Sequence, residues 1–70
     1  MTTIKQLRGT LGITQQKMAD LMGMARTRVN EIETGTTGRS ETKGHIAHLI
    51  ALELIYEHGL IEELATKLKE

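Results

Sequence analysis

Apolar side chains recur along the chain at helical spacing, and each recurrence is bounded by a capping residue or a glycine. Near the N-terminus, Thr3 and Gln6 have the spacing of a capping box, which is typical of the start of a helix. Leu7 and Leu11 then fall on one face of that helix. The pattern therefore predicts a first helix that begins after Thr3 and ends at Gly12.

The same reasoning predicts four further helices and no strand. The second follows a cap at Thr14 and ends at Gly23, and the third covers about residues 26–34. A fourth is predicted from a cap at Ser40 to about residue 57, and a fifth covers residues 60–68 after Gly59. The stripe of the fourth helix that we expect to face the core is Ile46, Leu49 and Ile50. The expected fold class is all-α.

Composition restricts the ways in which so short a chain is stabilised. Its 70 residues are enough for one small domain, and 39% of them are hydrophobic, which is too many for a disordered tail. It has no cysteine, so disulfides and thiolate zinc sites are excluded. No apolar run approaches the roughly 20 residues that span a membrane, and no signal-peptide pattern is present. We expect a soluble, cytoplasmic protein that uses a helical core or an oligomer.

The charges cancel overall but are unevenly distributed. Residues 1–44 contain seven basic and four acidic side chains, whereas residues 45–70 contain two basic and five acidic ones. The resulting net charges are +3 and −3. This asymmetry indicates that only the first part of the chain is suited to a polyanion.

Residues 15–34 have the spacing of two short helices that cross at a steep angle around a tight turn. Ala19 is small where the second of these helices approaches the first, and Gly23 tolerates positive φ in the turn. The apolar positions expected to face the shared core are Met18, Met22, Met24, Val29 and Ile32. Seven matching positions within twenty residues give the full helix-turn-helix spacing.

These residues and their flanks resemble the Cro/cI-type (XRE-like) DNA-binding domains of phage repressors and their bacterial relatives, which have a five-helix lambda-repressor-like fold. The matching segments, within about residues 3–55, are IKQLR at 4–8, LGITQ at 11–15, MADLMGM at 18–24, Arg26, and VNEIETG at 29–35. Ala25 departs from the Ser or Thr common in the family, and the loop after the third helix has glycines in place of the usual proline.

The resemblance implies that the third helix lies in the major groove of double-stranded DNA. The residues then expected at base edges are Arg26, Thr27, Asn30 and Glu31, which share one helical face. The residues expected at phosphates are Gln15, Gln16, Arg28, Thr34, Thr36 and Arg39. Arg8 and Glu33 match family positions that pair with each other, so the resemblance assigns them a structural salt bridge.

The fourth and fifth helices carry more apolar side chains than one small chain can cover, which favours a homodimer. The expected interface residues are Leu52, Leu54, Ile55, Leu60, Ile61, Leu64 and Leu68. On this interpretation residues 1–57 form the DNA-binding domain, and residues 58–70 form a C-terminal helix that dimerises together with part of the fourth. The alternative is that the last helix folds back and covers the fourth within one chain.

The sequence thus predicts a small dimeric transcriptional repressor that binds a pseudo-palindromic operator and controls its own promoter. The resemblance points to phage or mobile-element circuits, including the repressors that accompany anti-CRISPR genes. An antitoxin that also binds its own promoter and a helical adaptor without DNA binding are the alternatives. We expect no catalysis, cofactor, metal or membrane partner. The three histidines (His45, His48 and His58) lack companion ligands and are expected to be solvated or to cap helices.

Overall fold

In the computed structural model, residues 3–35, 38 and 40–69 are described. Within these ranges the chain is all-α, as predicted, with no strand. The helices are α1 (Ile4–Leu11), α2 (Gln15–Met22), α3 (Arg26–Thr34), α4 (Lys43–Glu57) and α5 (Ile61–Leu68). No helix in this part of the chain is both long enough and apolar enough to cross a bilayer.

The predicted starts of α1 and α2 are confirmed by their capping hydrogen bonds. Gln6 N donates to Thr3 Oγ1 and Thr3 N donates to Gln6 Oε1, both at 3.1 Å, which completes the capping box. Thr14 Oγ1 accepts from Lys17 N at 3.1 Å. Each cap therefore satisfies an N–H group that would otherwise have no partner at a helix start.

The fourth helix begins two residues later than the sequence suggested. Its N-cap is Thr42, and Ser40 lies before it. His45 N donates to Thr42 Oγ1 and Thr42 N donates to His45 Nδ1, both at 3.2 Å, so histidine takes the part usually played by Glu or Gln. Ser40 is followed three residues later by Lys43, whose side chain has no acceptor, so Ser40 cannot form the same reciprocal pair.

The core gathers side chains from every helix. Its buried members in the described ranges are Ile4, Leu7, Met18, Ala19, Leu21, Met22, Val29, Ile32, Leu49, Leu52 and Ile61. The expected stripe of α4 is wrong in one respect: Ile50 is 55% exposed, whereas Leu52 is fully buried. Because α4 is apolar around most of its circumference, its composition does not fix which face turns inward.

The last helix packs against α2 and α4 of its own chain, while Ile50 and Leu54 of α4 stay exposed. Ile61 is buried, and Lys17 Nζ lies 2.8 Å from Glu62 Oε1 on the exposed side of the α2–α5 contact. Leu52 and Ile61 were expected at a dimer interface, and for these two residues that expectation is corrected. Both are already covered inside the single chain.

Candidate nucleic-acid interface

The turn between α2 and α3 is closed by backbone hydrogen bonds around Gly23. Gly23 adopts φ 68° and ψ 35°, a left-handed conformation that costs glycine little. Its N–H bonds to the carbonyls of Ala19 and Asp20, and Met24 N donates to Ala19 O at 3.0 Å. Side chains from both sides of this turn are buried together, as the helix-turn-helix spacing predicted (Met18, Ala19, Met22, Val29 and Ile32).

One face of α3 is left open by this packing. Arg26, Thr27 and Asn30 are exposed, and Arg28 is exposed beside them. Glu31 is half-buried, and Thr34 Oγ1 donates to Asn30 O at 2.9 Å in the last turn of the helix. The face therefore combines two guanidinium groups with short polar side chains on a helix whose opposite side is anchored by Val29 and Ile32.

The first turn of α3 has no side-chain cap. Ala25 is the N-cap residue, with φ −74° and ψ 147°, and its methyl group accepts no hydrogen bond. The exposed start of the helix thus has a partial positive charge from its N–H groups, next to Arg26 and Arg28. Such an end is suited to an anion.

The expected pair of Arg8 and Glu33 is present and joins α1 to the end of α3. Arg8 Nε lies 2.7 Å from Glu33 Oε2, and Arg8 Nη2 donates to Glu33 Oε1 at 2.9 Å. Arg8 Nη1 also donates to Ile13 O at 3.2 Å. The hydrogen bonds from Arg8 lower the pKa of the Glu33 carboxyl more than its partial burial raises it, and the Gln15 amide lowers it further.

The side chain of Gln15 is turned toward α3. Gln15 Nε2 donates to Glu33 Oε1 and to Asn30 Oδ1, both at 3.2 Å. The expectation that this amide nitrogen binds a phosphate stays a prediction, and in the free protein its two hydrogens are directed at Glu33 and Asn30. The neighbouring Gln16 is exposed, and its Nε2 donates to Asp20 Oδ1 at 3.0 Å.

The link between Gln15 and Asn30 was missed by the sequence reasoning, which treated the two residues as independent DNA contacts. They lie fifteen residues apart in the sequence and on different helices. A local sequence pattern therefore does not predict that their side chains are in contact. Two other expected phosphate contacts, Thr36 and Arg39, lie outside the described residues.

Comparison with known proteins agrees with this geometry. The helix-turn-helix family model matches residues 4–56, well over half of the chain, and that span includes α1, α2, α3 and nearly all of α4. No curated protein and no solved structure gave a significant match. The chain therefore belongs to the helix-turn-helix family of Cro/cI type, whose members are DNA-binding transcription regulators.

Proposed function

We propose that the protein is a dimeric repressor that controls its own promoter by binding an inverted-repeat operator in double-stranded DNA. The observation that supports the proposal is the open face of α3, where Arg26, Thr27 and Asn30 are exposed. The opposite side of this helix is buried in the core. A rigid helix with donors and acceptors on its outer face fits the major groove, where each base pair presents a distinct hydrogen-bonding pattern.

The DNA contact proposed for each residue follows from its position on α3 or α2. Arg26, Thr27, Asn30 and Glu31 face the base edges, and Arg26 is the residue best suited to guanine because a guanidinium binds O6 and N7 together. The phosphate contacts are assigned to Gln16, Arg28, Thr34, Thr36 and Arg39, with the main-chain N–H groups at the start of α2 replacing the side chain of Gln15.

A second copy of this chain is the proposed occupant of the outer face of α4. Four exposed side chains at i, i+3, i+4 and i+7 form an apolar stripe opposite the buried Leu49 and Leu52 (Ala47, Ile50, Ala51 and Leu54). We call these four residues the α4 stripe. Exposed apolar stripes of this kind usually mark an interface.

The α4 stripe is complementary to itself when two copies run antiparallel. With the two-fold axis between Ile50 and Ala51, each large side chain meets a small one: Ile50 faces Ala51 of the partner subunit, and Leu54 faces Ala47 of the partner subunit. The same pairing brings the exposed Lys43 near Glu57 of the partner subunit. Size and charge therefore both favour a two-fold pair on α4.

The remaining interface residues expected from sequence fit this pair less well. Ile55 and Leu64 are half-buried against the core of their own chain. Leu60 is exposed at the α4–α5 junction, and Leu68 borders an open groove of about 820 Å³ between α2 and α5. The proposed interface is accordingly centred on α4. Of the interface residues expected from the sequence, Leu54 belongs to the α4 stripe.

A selection experiment tests the proposed function as a whole. Random duplexes are bound by the full chain at stated salt concentrations, and the bound pool is sequenced. The expected result is an inverted repeat whose half-sites lie about 34 Å apart, one turn of the double helix, with an affinity that falls steeply as salt rises. A pool without a common sequence, or binding that salt does not weaken, would reject the proposal.

A further inference from the structure

Four polar side chains form a continuous hydrogen-bonded chain from α1 to the open face of α3. Arg8 donates to Glu33, Gln15 donates to Glu33, and Gln15 also donates to Asn30. We call this the Arg8–Asn30 chain. It begins at a guanidinium, which only donates, so the direction of every later hydrogen bond is fixed by chemistry.

Glu33 is the acceptor at the centre of the Arg8–Asn30 chain. Its side chain is only 4% exposed, and both of its oxygens accept from Arg8, at 2.7 and 2.9 Å. A carboxylate held in this way by a guanidinium is ionised and has no hydrogen to donate. Any third group that approaches Glu33 Oε1 must therefore be a donor.

The contact with Glu33 fixes the orientation of the Gln15 amide. The atom 3.2 Å from Glu33 Oε1 must be Nε2, because the opposite orientation would place two acceptors in contact. The other hydrogen of Nε2 is directed at Asn30, 3.2 Å away, so the Asn30 atom facing it must be the acceptor Oδ1. The Asn30 Nδ2 group is consequently turned the other way, and it has no partner among the described residues.

We propose that the Arg8–Asn30 chain makes Asn30 a specificity-determining residue that presents a donor, and not an acceptor, to the base edge. The inference rests on the proposed function, because it requires α3 to lie in the major groove. There, Nδ2 donates to purine N7, guanine O6 or thymine O4, and it opposes cytosine, whose N4 group is itself a donor. Gln15, Glu33 and Arg8 act as positioning residues, since they reach the base only through Asn30.

The test compares base preference at the position that Asn30 faces, by selection from random duplexes with purified full-length variants. Asn30→Asp has the same shape but carries an acceptor where Nδ2 was, so selection at that position should change to cytosine. Gln15→Ala removes the donor that orients Asn30, and a preference of roughly tenfold against cytosine should fall to about twofold or less. Preference at the Arg26 position should not change in either variant.

Two further variants test whether a lost base preference comes from the orientation of Asn30 or from damage to the fold. Gln15→Lys keeps a donor beside Glu33 and Asn30, so it should retain the preference against cytosine that Gln15→Ala loses. Gln6→Ala makes the same change at an exposed glutamine of α1 whose side chain accepts from Thr3 N, so it is the matched control and should leave preference at every position unchanged. Thermal unfolding of each variant verifies that the fold is intact.

The outcomes distinguish this inference from the function on which it rests. If the wild-type chain selects an operator but Gln15→Ala and Asn30→Asp keep the same preference at every position, the inference is wrong and the proposed function stands. If the wild-type chain selects no sequence at all, the proposed function fails and the inference fails with it.

Discussion

Arg8 on α1 and Glu33 at the end of α3 face each other through two hydrogen bonds, of 2.7 and 2.9 Å. The pair joins the first helix to the helix that carries the open face. Since Glu33 also accepts from Gln15, one carboxylate holds α1, α2 and α3 together. The stability of the fold and the placement of α3 therefore depend on the same contact.

Replacing Arg8 should lower the free energy of unfolding. Arg8→Ala leaves the nearly buried Glu33 carboxylate without its strongest donor, and we expect a loss of about 2 kcal/mol. Urea denaturation followed by circular dichroism measures it. Lys5→Ala, an exposed change on the same helix, is the control and should stay within about 0.5 kcal/mol of wild type. Equal losses in the two variants would show that the ion pair contributes nothing specific.

The stability of the fold should depend on pH through Glu33. The hydrogen bonds from Arg8 hold the folded-state pKa of this carboxyl below its ordinary value of 4.5, whereas the unfolded chain keeps the ordinary value. The contribution of the pair is therefore complete above that value and is lost as the pH falls through it toward the folded-state pKa. Stability measured from pH 6 to pH 3 should fall more steeply for wild type than for Glu33→Gln.

Glu62 provides a comparison for the acid titration. Its hydrogen bond with Lys17 also lowers its pKa, but its side chain is 80% exposed, so solvent screens the interaction. Glu62→Gln should reduce the steepness of the acid loss less than Glu33→Gln does. The reverse order would contradict the assignment of the pH dependence to the Arg8–Glu33 pair.

Dimerisation should be sensitive to charge on α4 and insensitive to charge at the end of α5. Leu54 and Leu68 are a matched pair, at 52% and 54% exposed. Leu54→Glu places two like charges in the proposed antiparallel contact, so sedimentation should report monomers, whereas Leu68→Glu should remain dimeric. The opposite result would move the interface from α4 to α5.

A hydroxyl at the start of α3 should stabilise the protein. Ala25 already has the extended backbone of an N-cap, so Ala25→Ser can accept from the first turn without rearrangement. The expected gain is about 1 kcal/mol, seen as a higher midpoint of thermal unfolding. Ala25→Thr should give a similar but smaller gain. An unchanged or lower midpoint for Ala25→Ser would mean that the first turn of α3 is not accessible to a cap.

The two arginines of α3 should affect DNA binding differently. Arg26→Ala should relax preference at one base position in each half-site. Arg28→Ala should weaken binding to all sequences alike and reduce the slope of affinity against salt by about one unit per subunit. Binding isotherms at several salt concentrations, on selected and scrambled duplexes, separate the two effects. Identical behaviour of the variants would contradict the assigned roles.

The sequence predicts the first three helices well because their limits are set by local chemistry. Thr3, Thr14, Gly12 and Gly23 act within one turn of chain, and each takes the role its side chain favours. The start of α4 was missed because His45 closes a capping box in place of Glu or Gln.

Two other features could not be predicted from the sequence because they depend on how the helices pack against each other. Leu52 and Ile50 are both apolar residues of α4, and only the packing of α4 against α1 and α5 decides that Leu52 is buried and Ile50 exposed. The hydrogen bond between Gln15 and Asn30 is likewise a product of how α2 and α3 cross. Sequence spacing identified both residues as part of the candidate site but not their contact with each other.

The most direct test of the account is chemical protection of guanine N7, an atom that lies in the major groove, on an operator obtained by selection. With the wild-type chain bound, dimethyl sulfate should fail to methylate guanines in two patches about one helical turn apart, and Arg26→Ala should restore methylation at one guanine in each patch. Unprotected guanine N7 throughout the bound operator, with protection only at adenine N3 in the minor groove, would contradict the placement of α3 in the major groove.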